Sequence, residues 1–381
     1  MAARARLHPR RPAHRAGAPT GSVRPRRRTR RRESLRPIRA PALRRRIEEA
    51  MTQRVLSSVN LEFGGESPAA ALIEAAGFAV EIRRPAPGWR DEETRDKLVG
   101  FAALLAGAEN LNAATMDRAE DLKIVARNGV GYDKVDLDYC TQRGIVVTNT
   151  PGAMADAVAD QAFALLLGMS RQLVLGDARV KEGQTYDVPL GEDLCAMTLG
   201  LLGCGHIGAE VIRRALGFKM QIIVHDPFID AARIRNLGAE PVDRDNLLSR
   251  ADAITLHVPL TDANSAMVDP DFLGQMKKGA YLINTARGGL VDEAALLAAL
   301  ESGHLAGAGL DCQASEPPEG RSLELVRHPL VLALPHSGSK TTAARKRMAL
   351  VAARDIVALL EGKIPQHVVN KAVLDKLDLA I

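Results

Sequence analysis

Arg287, Glu316 and His336 follow one another along the chain, behind a glycine loop that starts at Gly203 and an acidic residue at Asp226. A cation, a carboxylate and an imidazole placed after a loop able to hold a dinucleotide point to hydride transfer at a carbonyl carbon. Taken singly, two of them have duller readings. Arg287 beside Gly288 and Gly289 would be a solvated turn residue, and Glu316 before Pro317 and Pro318 an exposed loop acid. Their shared order behind the loop is what carries the chemistry.

The loop has the context that such a motif requires. An apolar strand, Leu199 to Leu202, runs into Gly203-Cys204-Gly205-His206-Ile207-Gly208, and the helical pattern of Ala209, Val211, Ile212, Ala215 and Leu216 follows. Gly203 permits the tight turn, Gly205 lets the backbone approach a pyrophosphate, and Gly208 allows close packing of helix on strand. The N–H groups at the helix start face the anion. A second strand, Gln221 to His225, ends at Asp226, eighteen residues beyond Gly208. A carboxylate there binds the ribose hydroxyls and repels a 2′-phosphate, so NAD is expected rather than NADP. The bland alternative is a glycine-rich loop followed by an ordinary strand-end aspartate.

Composition divides the chain. Its net charge is +5, yet residues 1–50 hold 17 Arg against 3 Glu, so residues 51–381 carry −9. Arginine runs at 26–28 and 30–32, interrupted by prolines, offer too little apolar surface to offset ordering entropy, and 1–50 is read as disordered. This extension is an organelle transit peptide, a functional tail or an upstream stretch with Met51 as the functional start. Nothing aromatic interleaves the arginines to stack on bases, which argues against nucleic acid as partner. No apolar run reaches the roughly 18 residues of a membrane span, and Cys140, Cys195, Cys204 and Cys312 are scattered without a C-x-x-C pair, so neither a metal site nor a disulfide framework is indicated. A reducing, cytoplasmic setting is expected.

Strand and helix patterns alternate from residue 51 onward, as in parallel sheets covered by helices. Strands are predicted near 54–58, 79–83, 102–106, 123–127 and 145–148, then at 198–202, 221–225, 253–258, 280–284, 307–310 and 330–334. The fold class is therefore α/β, with two Rossmann-like doubly wound parallel-sheet domains and a cleft between them. A helix over Ala153 to Arg171 would bridge the units, and one over Ala343 to Leu360 would return the chain to the first. His304, His328 and His367 adjoin no motif and are read as surface or loop residues.

Seven segments in order then resemble the D-isomer-specific 2-hydroxyacid dehydrogenases, in the branch of the phosphoglycerate dehydrogenases and C-terminal-binding proteins. They are Asn128-Gly129-Val130-Gly131-Tyr132-Asp133, Asn149-Thr150-Pro151-Gly152, the glycine loop, Leu256-His257-Val258-Pro259-Leu260-Thr261, Asn284-Thr285-Ala286-Arg287-Gly288-Gly289, Gly309-Leu310-Asp311 with Glu316-Pro317, and Pro335-His336. The resemblance implies a discontinuous flavodoxin-like substrate domain over 51–150 and 337–381, and a central NAD-binding Rossmann domain over 151–336. It implies that Arg287 bridges the substrate carboxylate and carbonyl oxygen, a task suited to a planar guanidinium. His336 would exchange the proton of that oxygen, and Glu316 would orient the ring and favour its protonated form. Gly129 and Val130 would offer backbone N–H groups to the substrate. The cofactor would be held at Gly203, Gly205, His206, Ile207, Gly208, Asp226, His257, Val258, Pro259, Thr285, Ala286, Asp311 and Gly338.

Departures from that pattern bear on the substrate. Cys312-Gln313-Ala314-Ser315 and Ser337-Gly338-Ser339 replace the usual runs, and Gly107 lies where phosphoglycerate dehydrogenases carry an arginine for the phosphate, which disfavours a phosphorylated substrate. The expectation is an NAD-dependent oxidoreductase acting, as a homodimer, between a small 2-keto acid such as glyoxylate or hydroxypyruvate and its D-2-hydroxy acid. The alternative is an NAD(H)-sensing, corepressor-like partner-binding protein on the same fold, which would bind NADH and turn nothing over.

Overall fold

The computed structural model describes residues 53–83, 90–184, 188–377 and 379; the extension read above over 1–50 lies outside them. Short apolar runs form the strands of two sheets. The first comprises β1 (Arg54–Ser57), β2 (Ala79–Ile82), β3 (Ala103–Ala106), β4 (Ile124–Arg127) and β5 (Val146–Thr148), all parallel, in the order β2-β1-β3-β4-β5. That is the flavodoxin-like order. The second comprises β6 (Thr198–Leu202), β7 (Gln221–His225), β8 (Glu240–Pro241), β9 (Ala253–Leu256), β10 (Ala280–Asn284), β11 (Leu305–Leu310) and β12 (Val331–Ala333). Its order, β12-β11-β10-β9-β6-β7-β8, reverses direction beside β6 as in a dinucleotide-binding sheet. Every strand expected from the sequence is present. The missed strand, β8, is two residues long and contains a proline, too short for a period-2 pattern to register.

Both sheets are covered on both faces, which is why strands such as β3 and β10 are buried at every residue instead of alternating. One face of the second sheet packs on helices Ala155–Ser170 and His206–Gly217, the other on Arg244–Arg250, Pro270–Gln275 and Glu293–Glu301. In the first sheet, Val55, Ala103, Leu105 and Ile124 meet helices Pro68–Ala75 and Thr342–Leu360. The C-terminal helix thus closes the core of the sheet built from the N-terminal strands. Among the described residues no helix is long and apolar enough to cross a membrane.

The segment after that helix is tied to β5 by hydrogen bonds rather than by apolar packing alone. Val369 N–H donates to Val147 O at 2.8 Å. The buried Asn370 accepts from Val147 N–H at 2.8 Å through Oδ1, and its Nδ2 donates to Ile145 O at 2.9 Å and Thr141 Oγ1 at 3.0 Å. His367, read as a surface or loop residue, lies in a turn and places Nδ1 3.0 Å from Oδ2 of Asp355, whose other oxygen accepts from Gln366 N–H. His304 is likewise engaged, its Nε2 3.0 Å from the carbonyls of Leu273 and Met276. Neither hydrogen bond leaves a local signature, since the partners lie 12 to 31 residues away. Asn370→Ala should strand the amide of Val147 and the carbonyl of Ile145. A loss of about 2–3 kcal/mol is expected, read as a lower urea midpoint; an unchanged midpoint would show that water replaces the side chain.

Candidate active site

The candidate residues emerge at the carboxyl ends of parallel strands, where ligands bind in open α/β sheets. Asn128 to Gly131 follow β4, Gly203 follows β6, Asp226 β7, His257 β9, Thr285 to Arg287 β10, Asp311 β11, and His336 stands three residues past β12. The shared strand polarity gathers segments up to two hundred residues apart.

The loop after β4 is held with a defined facing. Gly129 O accepts from Thr150 N–H at 3.0 Å, Val130 O from Asn149 Nδ2 at 2.9 Å, and Gly131 O from Arg127 Nε at 3.2 Å. Three consecutive carbonyls are therefore tied back into the protein. The N–H groups of Gly129, Val130 and Gly131 donate to no group among the described residues, so the donor side of the loop is the free one. Asn149 and Thr150 belong to the Asn-Thr-Pro-Gly segment, whose part is to fix that facing.

Arg287 comes to the same loop from β10. Its Nε donates to Asp133 Oδ1 at 3.0 Å and Nη1 to Ala286 O at 2.7 Å, while Nη2 lies over Gly131. A Cβ on Gly131 would stand 1.5 Å from Nη2, so only glycine admits the guanidinium there. Burial pushes the Asp133 carboxyl up, but the charge and hydrogen bond of Arg287 outweigh this and hold it below its ordinary range. Asp133 carried no assigned role in the sequence; its place at the end of the glycine segment was the available signal.

His336 and Glu316 meet as expected. Nδ1 lies 3.0 and 2.9 Å from the two oxygens of Glu316, which leaves Nε2 as the ring atom not facing the carboxylate. Burial raises the Glu316 pKa, whereas the His336 hydrogen bond and charge, the Gln313 N–H and the charge of Lys134 lower it, and the net shift is downward. The carboxyl is thus ionised at neutral pH. His336 itself has left-handed backbone, φ 49°, and Asp311 braces that turn: its oxygens accept from Ser337 N–H at 2.8 Å and Gly338 N–H at 2.7 Å, and its carbonyl accepts from His336 N–H at 2.7 Å. Gly338 fits because a Cβ there would come within 2.9 Å of Asp311 Oδ2. Glu293, a residue without a motif, holds the loop before Glu316. Its buried carboxylate accepts from Ala314 N–H at 2.9 Å and Ser322 Oγ–H at 2.6 Å.

The nucleotide half fits a dinucleotide. Gly203 has φ 96° and a Cβ there would lie 2.6 Å from His257 O and 3.0 Å from Val258 Cγ1; one on Gly208 would lie 2.4 Å from Gly203 O. A Cβ on Gly205 would meet no neighbouring group within 4 Å among the described residues, and this residue caps helix His206–Gly217 without a side-chain hydrogen bond, which leaves its first N–H groups for an anion. The His206 ring lies against Gly152, and Ile207 packs on the core. Asp226 accepts from Cys204 N–H at 2.7 Å and Phe228 N–H at 2.9 Å, so the ribose-binding candidate also closes the loop. Pro259 is exposed, its carbonyl accepting from Asn264 Nδ2. Two further candidates carry buried polar atoms with no partner among the described residues, Thr285 Oγ1 and His257 Nδ1. Burial pushes the His257 imidazole down to about 3, which keeps it neutral. Ala286 N–H is taken by Asn284 Oδ1.

Comparison with known proteins agrees with this architecture. Residues 163–338 match the family described as D-isomer specific 2-hydroxyacid dehydrogenase, NAD binding domain. The glyoxylate reductase of Thermococcus litoralis is 42% identical over 274 residues, spanning 70% of this chain and 82% of that protein. Among solved structures, the TT0316 protein of Thermus thermophilus is 39% identical with a TM-score of 0.75, covering 83% of this chain and all of its own. The D-lactate dehydrogenase of Aquifex aeolicus, solved with NAD and lactic acid, is 26% identical with a TM-score of 0.72, covering 84% and 99%. With its two sheets, its glycine loop and these relatives, the chain belongs to the D-isomer specific 2-hydroxyacid dehydrogenases, enzymes that use NAD.

Proposed function

We propose that this enzyme reduces a small 2-keto acid of the glyoxylate or hydroxypyruvate class to the D-2-hydroxy acid, with Arg287, Glu316 and His336 as its working groups. The observation that carries the reading is the two-oxygen hold of Glu316 on His336 Nδ1. A ring fixed in that way can exchange a proton only through Nε2. When bound, NAD(H) supplies or accepts the hydride.

The chain's own groups bind and polarise. The free N–H groups of Gly129 and Val130 receive the substrate carboxylate, and the remaining donors of Arg287, those on Nη2 above all, reach both that carboxylate and the carbonyl oxygen. Polarisation leaves the carbonyl carbon electron-poor. His336 Nε2 then gives its proton to the oxygen, and the Glu316 carboxylate stabilises the imidazolium before the step. Thr285 Oγ1, His257 Nδ1 and the N–H groups at the start of helix His206–Gly217 face the cofactor, with Asp226 on its ribose.

A homodimer suits an otherwise unexplained face. Helix Leu173–Lys181 has no buried residue, and Leu173, Val174, Val180 and the 98% exposed Leu190 present apolar surface near it in sequence. A second copy would cover that surface. Sedimentation velocity should give twice the chain mass; a monomer at micromolar concentration would remove this reading.

Kinetics test the assigned roles separately. His336→Ala should lower kcat by roughly a hundredfold or more, the usual contribution of a placed proton donor, while NADH affinity measured by fluorescence titration stays near that of the wild type. Glu316→Gln removes the negative charge beside Nδ1, so the falling limb of the reduction rate should move to lower pH; an unmoved profile would take Glu316 out of the mechanism. Because Asp226 repels a 2′-phosphate, kcat/KM should favour NADH over NADPH by at least roughly tenfold, or about 1.4 kcal/mol. If NADH binds and no 2-keto acid turns over, the reductase assignment fails.

A further inference from the structure

At the carboxyl edge of the first sheet, polar atoms without partners cluster beside the loop that faces Arg287. Glu109, two residues past Gly107, is 4% exposed, and its Oε2 has no hydrogen-bond partner among the described residues. On the neighbouring strand, Arg127 Nη1 is buried without an acceptor and Asn128 Oδ1 without a donor. Ala106 pairs with Arg127 in register, which places the two loop starts side by side. Native proteins rarely leave buried polar atoms unpaired, so three such atoms on adjoining loops mark a place built for a further group.

The position of Glu109 is set by Gly107. Its Oε1 lies 3.1 Å from where a Cβ on residue 107 would stand, with Val59 Cγ1 at 3.1 Å and Ser58 Oγ at 3.3 Å from the same point. A buried carboxylate therefore folds back over the glycine. Arg127 reaches the Arg287 site: its Nε donates to Gly131 O, and Arg287 Nη2 lies over the Cα of the same glycine. Burial pushes the Arg127 pKa down, with the charges of Glu109 and Asp133 opposing.

We propose that Glu109 and Arg127 form a second substrate subsite, which recognises a hydroxyl on C3 of the 2-keto acid. The inference rests on the reductase reading above and specifies its substrate. A hydroxyl is one group that can donate to Glu109 Oε2 and accept from Arg127 Nη1 at once. A C3 methyl would leave both atoms unpaired, and a C3 phosphate would face a carboxylate. Sites that hydrogen-bond a substrate hydroxyl reject the analogue lacking it far more strongly than apolar pockets sort by size.

Hydroxypyruvate and pyruvate differ only in that hydroxyl, and the test uses the full chain with NADH. In the wild type, kcat/KM should favour hydroxypyruvate over pyruvate by at least about tenfold. Glu109→Leu should bring the two substrates to near parity through loss on hydroxypyruvate. Glu109→Gln, which keeps the shape and loses the charge, should fall between. If Glu109→Leu does not bind NADH, the isosteric variant carries the test. Glyoxylate, which has no C3, separates the two failures. Turnover of glyoxylate with a hydroxypyruvate-to-pyruvate ratio near one, or a ratio unchanged by both substitutions, means that the unpaired atoms hold only water and overturns the subsite. Absence of turnover on all three acids overturns the reductase reading and the subsite with it.

Discussion

The contact of Arg287 with Gly131 is the constraint on which the site depends. One residue comes from β10 of the second sheet and the other from the loop after β4 of the first, and they approach so closely that a single methyl group could not be inserted. The consequence reaches in both directions. Each carbonyl of the loop is drawn back into the protein by Thr150, Asn149 or Arg127, which leaves its N–H groups free. Asp133 holds Nε and Ala286 O holds Nη1, which leaves Nη2 over the glycine. Cation and backbone donors thus converge because one glycine has no side chain.

A second requirement is met at His336. A non-glycine residue in left-handed conformation costs roughly 1–2 kcal/mol. Against this stand the hydrogen bonds of Ser337 and Gly338 N–H to the Asp311 carboxylate. Hydrogen bonds to a charged acceptor contribute about 1.5–3 kcal/mol each, so the bracing outweighs the strain. The backbone turn aims the ring at Glu316, and Glu293 fixes the other side by holding Ala314 and Ser322. Orientation of the imidazole is therefore the product of three carboxylates, of which only Glu316 touches it.

The strands and the ordered motifs were legible because their signals are local: apolar runs of four to six residues, glycines at fixed spacing, an acid at a strand end. The pairing of His336 with Glu316 was legible through the resemblance, and the geometry places the two side chains together. What sequence could not supply were partnerships across distance. Asp133 meets a residue 154 positions away, and Glu293 reaches two segments 21 and 29 positions on. Glu109 looks like any loop acid until its burial is known, and Gly107 told only what was missing, not that a carboxylate fills the space. Asp311 and Asp226 were read for what they could offer a cofactor; both also hold backbone turns, a role that no pattern of residue types announces.

Electrostatics explains why so many charges are paired here. Residues 51–381 carry −9, yet the substrate is an anion. An acidic surface repels it at long range, so attraction must come from cations placed at the site where solvent screens least. Arg127 and Arg287 both meet Gly131, and their mutual repulsion is felt at Arg127. The charges of Glu109 and Asp133 oppose the effect of Arg287 on Arg127. Asp133 pairs directly with Arg287 Nε, whereas Glu109 acts on Arg127 through its charge alone, and the loop's N–H face stays open. An anion held there would meet the N–H face of Gly129, Val130 and Gly131, since the three carbonyls are turned back into the protein.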